Sequence, residues 1–165
     1  MLEEIPARSR FFIDSNIFIY HFLDLSEGCS NLLERAERKE IRACTSTVVL
    51  GEVLHRLMLS EAVEKYRIKP HQAIRYLKEH PESIISLEKC EMAVEEIPEF
   101  NVEILSMGGD AVFESRGLRK QYGLMTNDSL NLYSMNSRGL KIIATNDSDF
   151  DRIKGIEVWT PGLIR

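Results

Sequence analysis

The chain has 165 residues, 44% of them hydrophobic and 28% charged, with a formal net charge of −5. That size and balance suit one compact domain over residues 1–165 with a substantial core, and the charge excludes a molecule whose overall field draws in nucleic acid. No apolar run reaches the roughly 18 residues of a membrane helix, and the start MLEEIPARSR lacks the apolar stretch of a secretion signal, so a cytoplasmic protein is expected.

In chain order, Phe11-Phe12-Ile13 is a short apolar run ending abruptly in Asp14, as in a strand buried on both faces of a parallel sheet. Ile17 to Leu25 suits a buried helix, and Gly28 with Ser30 opens an amphipathic helix through Arg38. Ile41–Cys44 is the next strand, and Thr45-Ser46-Thr47 caps a helix from about Val48 to Leu59 that contains Glu52. The polar stretch from about Ser60 to Phe100 is helix-patterned and broken at Pro70, Pro81 and Pro98, which predicts a helical elaboration of two or three helices. Asn101–Leu105 alternates like a strand. A helical pattern follows Gly108-Gly109 and stops at Gly123, and Asp128 begins a helix over Leu130–Ser137. Leu140–Ala144 and Glu157–Trp159 are the last strands, the second at an edge.

Strands alternating with helices predict a mainly parallel sheet with right-handed crossovers and helices on its faces. Ligands bind beyond the carboxyl ends of such strands. Asp14 directly follows the first strand, Asp147 follows the fourth, Glu52 lies in the helix leaving the second, and Asp128 heads the helix that delivers the fourth. Several carboxylates at one place stay ionised only with a compensating cation, or they raise one another's pKa. Oxygen donors without His or Cys favour Mg²⁺ or Mn²⁺ over zinc. A negatively charged protein then engages a phosphodiester through the metal.

Plainer explanations exist for each residue. Asp14, Asp128 and Asp147 all suit helix capping, and Glu52 suits an i,i+4 pair with Arg56. Asp149 competes with Asp147 for the metal, and position directly after the strand favours Asp147. Two basic clusters, Arg116-Arg119-Lys120 and Arg35-Arg38-Lys39-Arg42, are either RNA-facing patches or solvated helix faces. Cys29, Cys44 and Cys90 lack the spacing of a disulfide framework or zinc site and are expected to be inert, buried thiols. The four histidines show no zinc-binding spacing.

Phe12-Ile13-Asp14-Ser15-Asn16, Glu52, Asn127-Asp128 and Ile143-Ala144-Thr145-Asn146-Asp147-Ser148-Asp149-Phe150 together resemble the PIN-domain ribonucleases, and within them the VapC-type toxins of prokaryotic toxin–antitoxin pairs. The resemblance covers most of the chain, and only the combination is specific. It implies a three-layer α/β/α sandwich around a small, mainly parallel sheet, and a metal-dependent endoribonuclease. Residue by residue it implies Asp14, Glu52, Asp128 and Asp147 as catalytic metal ligands, Asp149 as an additional acid, and Asn16 and Thr145 as supporting groups. Ser15 is expected near water or phosphate, and Arg116 and Arg119 on the RNA backbone. A cognate antitoxin and a homodimer are implied by the resemblance alone. Two alternatives stay open: an RNA-processing PIN nuclease, or a PIN-like module that binds RNA or protein without cutting. A phosphatase using a covalent aspartyl intermediate is disfavoured by Asn16, which stands where a second Asp belongs.

Overall fold

The computed structural model of the chain describes residues 1–162 and 164. In chain order it contains β1 (Arg10–Ile13), α1 (Ser15–Phe22), α2 (Glu27–Glu37), β2 (Arg42–Ser46) and α3 (Thr47–Tyr66). There follow α4 (Ala73–Glu79), α5 (Pro81–Ile84), α6 (Lys89–Glu96), β3 (Glu103–Leu105), α7 (Asp110–Glu114), α8 (Arg116–Tyr122), α9 (Thr126–Ser137), β4 (Ile142–Ala144) and β5 (Glu157–Trp159).

Five strands form one sheet in the order β3-β2-β1-β4-β5, and every neighbouring pair is parallel. β1 is central, and Phe11, Phe12 and Ile13 are fully buried, each contributing about 1.5–3 kcal/mol of burial free energy. From β1 the chain steps outward through β2 to β3, then crosses back over β1 to reach β4 and β5. Right-handed crossovers therefore put α1–α6 and α7–α9 on opposite faces, giving three layers. The same reversal of direction makes β1 and β4 a topological switch point, the place where such sheets form their ligand crevice beyond the carboxyl ends of the strands. Phe12 pairs with Ile143 and Ile13 with Ala144, so the next residues in register, Asp14 and Thr145, meet at that crevice.

Several boundaries differ from the sequence expectation. α1 starts at Ser15 rather than Ile17, because the Asp14 side chain accepts the Ser15 N–H and opens the helix at once. α3 continues past Leu59 to Tyr66. Its buried stripe Val49, Val53, Leu57 carries on through Glu61 and Ala62, and the Glu61 carboxylate accepts the backbone N–H groups of Glu88 and Cys90 at the start of α6. A polar residue at a core position thus hid the helix's last two turns. β3 is shorter than Asn101–Leu105, since Asn101 takes a left-handed conformation (φ 55°) that closes the preceding turn. The helix expected after Gly109 breaks at Ser115 into α7 and α8, and Gly123 (φ 66°) ends it as predicted. Cys29, Cys44 and Cys90 are free and buried, with burial pushing the Cys44 thiol up to about 12. No described helix is long and apolar enough to cross a membrane.

Candidate functional site

The site is built around Asp14, which is only 5% exposed. Its Oδ1 accepts the Ser15 N–H at 2.8 Å. Its Oδ2 accepts the Thr145 hydroxyl at 2.7 Å and the Asn16 side-chain amide at 2.9 Å. Thr145 Oγ1 in turn accepts from Asn16 Nδ2 and from the Asp147 N–H, both at 3.0 Å. Asn16 Oδ1 accepts the Asn146 N–H at 3.0 Å, which locks its amide with the NH₂ toward Asp14. The residue directly after β1, one from α1 and the turn after β4 are thereby fixed as a unit, and the carboxylate is held in one orientation.

The other acids converge on it. Asp147 leads a 3-10 helix over Ser148–Arg152 and its side chain accepts the Asp149 N–H at 2.8 Å. Asp128 lies in the first turn of α9, where the helix's free N–H groups favour negative charge. The capping explanation fails for Asp128: the helix begins at Thr126, two residues ahead of it, the cap position is Met125, and no side chain caps it. One carboxylate oxygen from each of Asp128, Asp147 and Asp149 can be chosen so that all three lie within 4.8 Å of one another. The structure therefore brings both Asp147 and Asp149 to Asp128. Asp149 also pairs with Arg152 at 2.6 Å, which shares its charge, while Asp147 is tied to Thr145 and so to Asp14. Glu52, half-buried on α3, is held by the Asn127 side-chain amide at 3.1 Å rather than by Arg56. That amide sits one residue from Asp128 and 75 residues from its partner, a pairing with no local sequence signal.

Electrostatics show the acids acting on one another. Asp14 is pushed up to about 6, first by burial and then by Glu52 and Asp147, against the lowering hydrogen bonds from Thr145 and Ser15. Asp128 is likewise pushed up to about 6, by burial and then by Asp147, Asp14, Asp149 and Glu52. The closely spaced oxygen-only group of Asp128, Asp147 and Asp149, with the buried Asp14 coupled to it through Thr145 and by charge, matches the donor set of a hard divalent cation.

Ser15 is buried in the first turn of α1. Arg116 is exposed on α8. Arg119 departs from the expectation of a side chain free to hold RNA. Its guanidinium donates to Ser115 Oγ at 2.6 Å, Ser129 Oγ at 3.0 Å and the Val112 carbonyl at 2.9 Å. It braces α7 and α8 against the residue next to Asp128. A further brace was also invisible in the sequence: Ser46, which caps α3, donates its hydroxyl to Asn131 Oδ1 at 2.8 Å and so anchors α9 to the end of β2.

Comparison with known proteins bears on the family and the fold. A family model described as PIN domain matches residues 11–156. A protein named Ribonuclease VapC2 from Methanocaldococcus jannaschii is 29% identical over 150 residues, covering 91% of this chain and 93% of the relative. Among solved structures, the Mycobacterium tuberculosis VapC20 toxin, described as cleaving the sarcin–ricin loop, superposes with a TM-score of 0.60 at 14% identity, covering 90% of this chain and 98% of that one. The VapBC2 complex of Rickettsia felis bound to a promoter DNA fragment gives 0.56 at 19% identity, covering 92% and 98%. These two likenesses establish the fold.

Proposed function

This chain belongs to the PIN-domain family, and we propose that it is a metal-dependent endoribonuclease, the toxin of a type II toxin–antitoxin pair. The proposal is carried by the mutual charge coupling of Asp14 after β1, Glu52 on α3, Asp128 on α9 and the Asp147–Asp149 turn after β4. The relative named as a ribonuclease at 29% identity supports the reaction class, and the VapBC complexes among the fold neighbours support the toxin role.

Asp14, Asp128 and Asp147 would hold Mg²⁺ or Mn²⁺, with Glu52 and Asp149 completing the negative wall. When bound, the cation supplies charge neutralisation at the phosphodiester and acidifies an attacking water. The chain's own residues do the rest. Thr145 and Asn16 keep Asp14 ionised and aimed by donating two hydrogen bonds to one of its oxygens. Asn127 restrains Glu52. Arg119 fixes the helix carrying Asp128 through Ser129, and Arg116 contacts the RNA backbone. No side-chain nucleophile is required. Substrate RNA, a cognate antitoxin, a homodimeric assembly and a cytoplasmic location go with this function.

The test is cleavage of a labelled RNA, alongside a phosphomonoester, with and without Mg²⁺. RNA cleavage that requires Mg²⁺ and is lost in a folded Asp14→Asn variant is expected. RNA cleavage surviving in Asp14→Asn, or hydrolysis of the phosphomonoester alone, contradicts the assignment.

A further inference from the structure

The acidic crevice occupies the carboxyl ends of the strands, and the amino ends of β1 and β2 carry the opposite charge. Arg10 and Arg42 begin β1 and β2 and stand side by side in register. Together with Lys39 they line an open groove of about 620 Å³ in which Glu103 is the lining acid. Glu103 is engaged by Arg10 at 3.2 Å and by Arg138 at 3.8 Å, so its charge is more than answered. The basic cluster seen in the sequence separates in three dimensions. Arg35 is consumed by the carbonyls of Leu2, Glu3 and Ile5, and Arg38 pairs with Glu34. Lys39 and Arg42 are exposed, with no ion pair among the described residues.

The two poles lie about 13 Å apart along β1, at about 3.3 Å per residue from Arg10 to Asp14. A chain of net charge −5 whose cleft holds five acids repels a polyanion on approach. An attraction away from the cleft aids capture of a long RNA, and the amino-end groove supplies one.

We propose that the groove lined by Arg10, Lys39 and Arg42 docks the phosphodiester backbone of the RNA at a point remote from the bond being cut. This rests on the ribonuclease function proposed above. Each phosphate held there releases condensed counterions, so the groove adds a salt-dependent component to affinity, with a slope of about −0.7 per phosphate for a single strand. It favours substrates long enough to reach from the cleft around the edge of the sheet.

The experiment uses the full chain and a Lys39→Glu/Arg42→Glu double variant. Binding of an RNA of about twenty nucleotides is followed in EDTA, where no cleavage occurs, across a series of salt concentrations. The variant is expected to bind at least about tenfold more weakly, with a salt slope shallower by about 1.4 for two lost phosphate contacts. With Mg²⁺, its KM should rise for the long RNA while KM and kcat for an RNA of about five nucleotides stay unchanged. Lys39→Gln/Arg42→Gln replaces it if urea denaturation shows the charge reversal to be unfolded. Equal binding and equal slope for variant and wild type overturn the proposal, as does an equal loss on short and long RNA. Polyglutamate held more tightly than RNA would assign the groove to an acidic protein segment and overturn it as well. Failure of wild type to cleave any RNA would instead refute the nuclease function, since binding in EDTA is read independently.

Discussion

Replacing Thr145 with Val keeps the shape of a fully buried side chain and deletes one oxygen. That oxygen donates to Asp14 at 2.7 Å and accepts from Asn16 and from the Asp147 backbone. A hydrogen bond to a charged group contributes about 1.5–3 kcal/mol, and one pKa unit corresponds to 1.36 kcal/mol. Losing the Thr145 bond should therefore raise Asp14 by about 1–2 units, from about 6 to about 7–8. Near pH 7 the carboxyl would change from about one-tenth protonated to between half and nine-tenths protonated. A proton there competes with the cation, so apparent Mg²⁺ affinity should fall about two- to tenfold near pH 7 and largely recover near pH 9. The assay is Mg²⁺-dependent RNA cleavage from about pH 6 to 9, with Thr145→Ser as the variant that restores the hydroxyl. A loss equal at every pH, or no loss, would refute the role given to Thr145.

The metal-free protein should lose stability as pH rises from about 4 to about 6. Asp14 and Asp128 are raised in the folded state, so folding takes up protons in that window and their ionisation opposes folding above it. For Asp14 the full effect is about 3 kcal/mol, read by urea denaturation in EDTA, and Mg²⁺ should remove much of it. Asp128→Asn should stabilise the metal-free protein near pH 8 by about 1 kcal/mol, the smaller figure allowing for solvent screening of a half-exposed group; destabilisation would mean that the acids do not repel. Glu61→Ala should cost about 2–4 kcal/mol by leaving two α6 N–H groups without an acceptor. Faster hydrogen exchange at Cys90 is the local check.

What could be read from the sequence follows how local each signal is. Asp14 stood out because an apolar run ends in an acid within one residue, and Asp147 because a short strand precedes it. The parallel direction of the strands followed from their alternation with helices, whereas their order across the sheet did not. Glu52 was visible as an acid in the helix leaving the second strand, but its partner Asn127 was not, since only the packing of α3 against α9 joins them. Arg119 looked like a free cation because Ser115 and Ser129, the hydroxyls it bridges, carry no sequence sign of pairing. The full length of α3 was hidden for the same reason: Glu61 reads as surface and is a buried cap for another helix. Long-range polar pairing, rather than hydrophobic pattern, is what the sequence concealed.

The central claim is that the acids at the β1/β4 crevice hold a divalent cation. An anomalous difference map from a crystal grown with Mn²⁺ tests it most directly. A peak within coordination distance of Asp14, Asp128 and Asp147 is expected. An ordered site with no peak there, or Mn²⁺ bound only elsewhere, would contradict it.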